Sequence, residues 1–267
     1  MNIYLYELKS LRKSAILWIC AMIALAALYF SIYPSMSSDA LEFKELLSNY
    51  PPTVRAMLGI DLDYITSILG FYSMIFGFII LCGAIQAMNL GVSILSKESR
   101  ERTADFLLVK PVSRQFIITA KLMASFTTIV VTDIIFCLAS FAIANRVKTV
   151  DFSNKVLFMI NLTLFFIQLI FLAVGVVVSV FFNKIKSVLP LSLGIVFGLY
   201  MIGALLATGE DAETLRFLSP FKYFNITYII KNSSYEVSYL ILSMIIVVVS
   251  VIATYIIYSR KDIHAVS

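Results

Sequence analysis

The sequence carries little charge. Asp, Glu, Lys and Arg make up 14% of its 267 residues, whereas 60% of the residues are apolar. Soluble globular domains have roughly 25% charged residues, so this composition excludes that class. The 21 Phe and 14 Tyr also exclude a disordered chain, because so many aromatic side chains do not stay solvated. The composition therefore indicates an integral membrane protein.

Residue types needed for metal and nucleophile chemistry are also scarce. The single histidine, His264, excludes zinc hydrolases of the HExxH kind. Three cysteines, Cys20, Cys82 and Cys137, all fall in apolar runs, and their odd number argues against a disulfide framework. No GxxxxGK[ST] or GxSxG motif occurs, so the sequence offers neither a phosphate-binding loop nor a nucleophile elbow.

Long apolar runs are what the sequence does contain. A helix needs about 20 apolar residues to cross a hydrocarbon core of ~30 Å. Six runs reach that length, and five of them contain no charged residue. Backbone hydrogen bonding inside lipid then favours helices. We predict an all-α membrane protein with a single transmembrane domain over 1-267 and spans near 15-34, 65-95, 116-144, 156-182, 188-208 and 237-258.

The distribution of Lys and Arg orients these spans. Six spans place both termini on one side, and 13 of the 21 Lys and Arg residues fall on that side, with 8 on the other. Cytoplasmic segments carry the excess of Lys and Arg. Both termini are therefore predicted to be cytoplasmic.

Two segments outside the predicted spans show helical patterns. In residues 1 to 13, Tyr4, Leu8 and Leu11 are spaced along one face, with charged residues including Glu7 placed on other faces, which predicts a separate amphipathic helix in the membrane interface. In the loop after span one, Ser38 is a candidate N-cap for a helix that ends before Pro51. A short extracytoplasmic helix is predicted there.

The loop between spans two and three, residues 96 to 115, is rich in charge. Lys97 with Glu101 and Glu98 with Arg102 form attractive i, i+4 pairs, which favour a polar helix continuing from span two. Pro111 ends this helix, and Ser113 is a candidate N-cap for span three.

This loop resembles the cytoplasmic coupling segment of type-2 (ABC-2 class) ATP-binding-cassette exporter permeases. The residues that carry the resemblance are Glu98, Thr103, Leu107, Leu108, Pro111, Val112, Ser113, Arg114 and Lys121. Where the family usually has a Gly before the Thr, this chain has Arg102. Glu7-Leu8-Lys9 before span one and the stretch from Leu215 to Phe224 before span six are also similar to the family. In the family the latter stretch forms short extracytoplasmic helices.

The resemblance implies a membrane subunit that works with other chains. An ATP-binding-cassette ATPase subunit would bind ATP and Mg²⁺, and this chain would hold no cofactor and have no enzymatic activity. A second copy of the permease, or a related permease, would complete the complex in the cytoplasmic (inner) membrane of a bacterium. No nucleic-acid partner is implied. The ATPase-coupling residues would be Glu98, Arg102, Thr103, Leu107, Leu108, Pro111, Arg114, Asn183, Lys184 and Lys186.

Several polar residues lie inside the predicted spans. Asp133 near the middle of span three is costly in lipid unless it is paired or neutral, and we expect a packing hydrogen bond to Asn161 or Gln168 in preference to a substrate or proton contact. Lys121 is expected to extend to the cytoplasmic phosphates. Gln86 and Asn89 could line a pathway or bond between helices.

Small residues in two spans predict close helix packing. Gly83, Ala87 and Gly91 recur at four-residue intervals in span two, and Gly194 and Gly198 form a GxxxG motif in span five. The sequence leaves open whether these contacts form inside one subunit or across a dimer.

Other function classes predict different features. A secondary transporter should have broken helices and several charges near the midplane, whereas only Asp133 qualifies. A membrane assembly or sensor subunit without transport remains an alternative. No residue selects a substrate.

Overall fold

The computed structural model describes residues 3–51, 54–55, 60–101, 113–182, 185–206 and 215–260, with the backbone alone for 98–101, 206 and 259–260. Within these ranges the chain is helical and has no strand. Helices are numbered α1 to α8 in chain order. Six are long and apolar enough to cross a membrane: α1 (Ile3–Ser38), α3 (Ile68–Glu101), α4 (Arg114–Val147), α5 (Asn154–Phe181), α6 (Val188–Leu206) and α8 (Val237–Arg260). These six helices correspond to the six predicted spans.

Short helical elements precede spans two and six, as expected, although the one at 226–232 follows the stretch from Leu215 to Phe224. Before span two lies α2 (Ala40–Ser48), and before span six lie two 3₁₀ turns, Arg216–Leu218 and Pro220–Lys222, followed by α7 (Ile226–Asn232).

Helices α3 and α5 form the centre of the bundle. In their most apolar stretches 67% and 61% of the residues are buried, against 11–28% in α1, α4, α6 and α8. All six helices are apolar, so burial and not composition separates the two groups. The outer helices therefore keep one broad apolar face toward lipid.

Glycine allows the two central helices to approach closely. A Cβ atom on Gly91 would lie 2.4 Å from the carbonyl oxygen of Leu172, and one on Gly175 would lie 2.8 Å from that of Met88. The predicted stripe of small residues in span two therefore packs inside this chain, against α5. By contrast, a Cβ atom on Gly194 or Gly198 would have no neighbour within 4 Å.

The N-terminal segment differs from the prediction. Residues 3–38 form one uninterrupted helix, so the predicted interfacial helix of residues 1 to 13 is not separate from span one. No Gly or Pro occurs before Pro34, and nothing in the sequence breaks the helix there.

The two predicted N-caps have opposite outcomes. Ser113 caps α4, since its Oγ accepts a hydrogen bond from the backbone N–H of Phe116 at 3.2 Å. The prediction that Ser38 caps α2 is wrong. Helix α1 extends through Ser38, and the Ser38 hydroxyl donates back to the carbonyl of Ser35 at 2.7 Å. Asp39 takes the N-cap position of α2, but its side chain accepts no capping hydrogen bond from the backbone of that helix.

Candidate functional site

A buried ion cluster of Glu7, Lys97 and Lys121 joins α1, α3 and α4 just before the charged end of α3, residues 98–101. Lys121 of α4 is 1% exposed; its Nζ donates to the carbonyl oxygen of Ile94 at 2.6 Å and lies 3.6 Å from Glu7 Oε1. The expectation that Lys121 extends to the membrane surface is therefore wrong. A buried carboxylate from α1 and a carbonyl from α3 together compensate the desolvation of its ammonium group.

Lys97 extends the cluster toward the surface. Its Nζ lies 3.7 Å from Glu7 Oε2, donates to Ser10 Oγ at 2.9 Å and sits 5.3 Å from the ring centre of Tyr6. Lys97 is the residue directly before the charged end of α3, residues 98–101. That end is thus anchored to α1 through Lys97, and to α4 through Glu7 and Lys121.

The spacing of Glu7 could have revealed its position. The predicted interfacial helix has Glu7 on a different face from Tyr4 and Leu11, but Glu7 follows Tyr4 by three residues and precedes Leu11 by four. Residues at these intervals share a helix face. Glu7 therefore points inward with them and is 3% exposed.

Two hydrogen-bonded networks cross the interior of the bundle. In the first, Tyr72 donates to Asn161 Oδ1 at 2.7 Å, and Asn161 Nδ2 donates to Ser140 Oγ at 2.7 Å. In the second, Gln168 Nε2 donates to Gln86 Oε1 at 3.2 Å, and Gln86 Nε2 donates to Thr132 Oγ1 at 3.3 Å. Each network connects α3, α4 and α5, so both hold the three helices in one register.

Asp133 does not form the hydrogen bond that we expected. Both of its carboxylate oxygens are buried, and neither accepts a hydrogen bond from any residue that the structure describes. Asn161 and Gln168, the expected partners, belong to the two networks instead. The sequence places a polar Asp133 near the middle of span three, but it does not show that Asn161 and Gln168 form hydrogen bonds with other residues.

A polar cleft of about 210 Å³ opens between α1, α3 and α4 next to the ion cluster. Gln86 and Asn89 both line it, as do Glu7 and Lys97. Gln86 therefore combines the two roles considered for it, since it bonds between helices and also faces the cleft. Asn89 has only the second role.

The predicted coupling residues are only partly described. Arg114 is half-buried at the start of α4, and Lys186 is exposed before α6. The backbone of Glu98 continues α3, which confirms that a polar helix extends from span two through residue 101. The others lie outside the described residues: Arg102, Thr103, Leu107, Leu108, Pro111, Asn183 and Lys184.

A second charged cluster lies in the segment before α8. Arg216 donates to the carbonyl oxygens of Lys222 at 2.6 Å and Tyr223 at 3.2 Å, pairs with Glu236 and lies 4.1 Å from the ring centre of Tyr239. Burial, with a smaller contribution from Arg216, lowers the pKa of Lys222. This cluster fixes the 3₁₀ turns to the start of α8, and no local sequence spacing indicates it, since Arg216 and Glu236 are 20 residues apart.

Metal-binding geometry is not found in the described ranges, where no three His, Cys, Asp or Glu side chains lie close enough together to hold an ion. The site is thus a set of polar helix contacts, a polar cleft and a charged helix end.

Comparison with known families identifies the chain. No curated protein matches it. The family described as ABC-2 family transporter protein matches residues 1–263, nearly the whole sequence. With six apolar helices long enough to span a membrane, the chain is a multi-pass transmembrane subunit and belongs to the ABC-2 transporter family.

Proposed function

We propose that this chain is the transmembrane subunit of an ATP-driven exporter and that it couples to a separate ATP-binding-cassette ATPase. The ATPase would contact residues 96–110 and the turn at 183–187. Both termini would be cytoplasmic, in the inner membrane of a bacterium. ATP and Mg²⁺ would bind to the partner, because this sequence contains no phosphate-binding loop. A second permease chain would complete the transport pathway.

One observation carries the coupling proposal: α3 runs without interruption from the bundle centre into its charged end. At 34 residues and 1.5 Å per residue it is about 51 Å long, well beyond the ~30 Å hydrocarbon core. The ion cluster anchors α3 to α1 and α4 just before residues 98–101. A displacement of that end by a partner would therefore act on three spans together.

Charge reversal tests the coupling. Glu98→Lys with Arg102→Glu should leave the chain folded and inserted, because the exchanged charges are still opposite and an i, i+4 pair contributes only about 0.2–0.5 kcal/mol to a helix. Truncating a charge pair buried in an interface costs about 2–5 kcal/mol, so the double variant should release the ATPase or abolish substrate-stimulated ATP hydrolysis. The measurement is copurification and hydrolysis in the reconstituted complex.

The matched control reverses an exposed ion pair elsewhere. Lys148 Nζ lies 2.7 Å from Asp151 Oδ1 in the connection between α4 and α5, and that hydrogen bond lowers the pKa of Asp151. Lys148→Asp with Asp151→Lys should keep assembly and hydrolysis unchanged. If the 98/102 variant behaves like this control, residues 96–110 are a solvated connection and the coupling proposal fails.

A further inference from the structure

The cleft between α1, α3 and α4 has the features of a ligand site. It runs along α3 from Lys97 to Gln86, which is about 16 Å at 1.5 Å per residue. Its floor is fixed, because Gln86 is 4% exposed and bonded on both sides to other helices. Its entrance is open, because Ser14 is exposed and the Lys97 side chain is 19% exposed. A solute therefore has access to a polar interior.

Two groups in this cleft have unused hydrogen-bonding capacity. Glu7 Oε2 is buried and accepts no hydrogen bond in the described chain, although its other oxygen faces Lys121. The Asn89 amide lines the same cleft and also makes no hydrogen bond there. A buried carboxylate oxygen without a donor is costly, so this wall favours a ligand that brings N–H or O–H groups.

The charges around the cleft limit which ligands it can bind. Lys97 Nζ lies 3.7 Å from Glu7 Oε2, so an ammonium and a carboxylate face the cleft side by side. A simple cation would be repelled by Lys97 and by Lys121 behind Glu7, and a simple anion would be repelled by Glu7. A ligand with both charges a few bonds apart matches both groups.

We propose that this cleft binds a small zwitterion whose ammonium group carries N–H donors for Glu7 Oε2 and whose anionic oxygen meets Lys97. This chemistry is shared by the headgroup of phosphatidylethanolamine and by free phosphoethanolamine. Asn89 would bond to the same headgroup. The site belongs to this chain alone and does not depend on coupling to an ATPase.

The test uses the purified full-length chain without any ATPase, so its failure is separate from a failure of the proposed function. Bound phosphatidylethanolamine and phosphatidylcholine are counted by native mass spectrometry from nanodiscs that contain both lipids. Calorimetry with phosphoethanolamine and phosphocholine forms the soluble arm. The choline forms differ from the ethanolamine forms by three methyl groups on the nitrogen, which keep both charges but remove every N–H donor. Binding of the ethanolamine form should therefore exceed that of the choline form by about tenfold or more.

Cleft variants locate the binding. Asn89→Leu replaces a cleft-lining amide that is not part of the ion cluster with a bulkier apolar side chain, and it should weaken ethanolamine binding by about tenfold or more. Ser14→Leu, at the exposed entrance, should weaken ethanolamine binding to a similar extent. It replaces Asn89→Leu as the test if that variant does not fold. Asn145→Leu is the matched control, because Asn145 is exposed on α4 and bonds only to the carbonyl of Phe141. It should bind as the unmodified chain does.

Each outcome decides the proposal. Binding in the lipid arm identifies a phospholipid as the source, and binding only in the soluble arm identifies a free solute. Equal binding of the ethanolamine and choline forms, no binding of either form, or retention of binding by both cleft variants would overturn the proposal.

Discussion

Lys121 and Glu7 are buried charges that depend on each other. Removing one partner of a buried ion pair leaves the other charge uncompensated and costs about 3–5 kcal/mol. Lys121→Met should fall near the lower end of this range, because Lys97 still lies 3.7 Å from Glu7 Oε2. Adding Glu7→Gln should restore much of the lost stability. Unfolding in mixed micelles at increasing denaturant would measure both variants.

The control for the Lys121 and Glu7 variants is Lys148→Met. It breaks an exposed ion pair and should change the free energy of unfolding little. If Lys121→Met is as mild as Lys148→Met, or if adding Glu7→Gln makes the loss larger, the ion cluster does not stabilise the bundle as described.

Asp133 is the opposite case, a polar side chain whose removal should help folding. Its carboxylate oxygens are buried without a donor in the described residues, and insertion scales place the cost of an Asp at a helix centre at about 2.5–3.5 kcal/mol. Asp133→Leu should therefore be at least as stable as the unmodified chain.

Asn161→Leu provides the contrast with Asp133→Leu. It leaves the buried Tyr72 hydroxyl without its acceptor and removes the donor to Ser140 Oγ, so the free energy of unfolding should fall by about 1–3 kcal/mol. Parallel unfolding measurements compare the two. Equal losses at both positions would mean that Asp133 has a stabilising partner.

At the scale of helices, the contact between α3 and α5 is the central element. The carbonyl oxygen of Leu172 lies only 2.4 Å from the position that a Cβ atom of Gly91 would take, so Gly91→Ala should force the helices apart and cost about 1–3 kcal/mol. Gly194→Ala is the matched change on an open helix face. It should be neutral or stabilise by roughly 0.5–1 kcal/mol, as Ala generally does over Gly within a helix. Thermal unfolding in the same detergent separates them, and similar midpoints for the two variants would contradict the close packing.

The elements differ in how far the sequence predicts them. Hydropathy finds the six spans, and the position of Ser113 predicts the start of α4, because both signals are local. The continuity of α1 is hard to predict because Lys9, Arg12 and Lys13 resemble an interfacial boundary, although no Gly or Pro breaks the helix there. The burial of Lys121 needs Glu7, Ile94 and Lys121 to meet, and contacts between distant segments have no local signature.

At the scale of the whole molecule, the described contacts connect the charged end of α3 to several membrane-spanning helices. Two hydrogen-bonded networks hold α3, α4 and α5 in register, and the ion cluster adds α1 at the charged end of α3. A partner can shift such a bundle only by binding its two arrangements with different affinity. Coupling therefore requires that the proposed ATPase contact residues 96–110 and 183–187.

Site-specific photocrosslinking tests that claim most directly. A photoreactive amino acid is placed at Glu98, Arg102 or Lys186, and at Lys148 as the control, in cells that express the complete transporter. A crosslink to an ATP-binding-cassette subunit is expected from the first three positions, with a yield that changes when ATP hydrolysis is blocked, and none is expected from position 148. Crosslinks to that subunit from Lys148, with none from the three predicted positions, would contradict it.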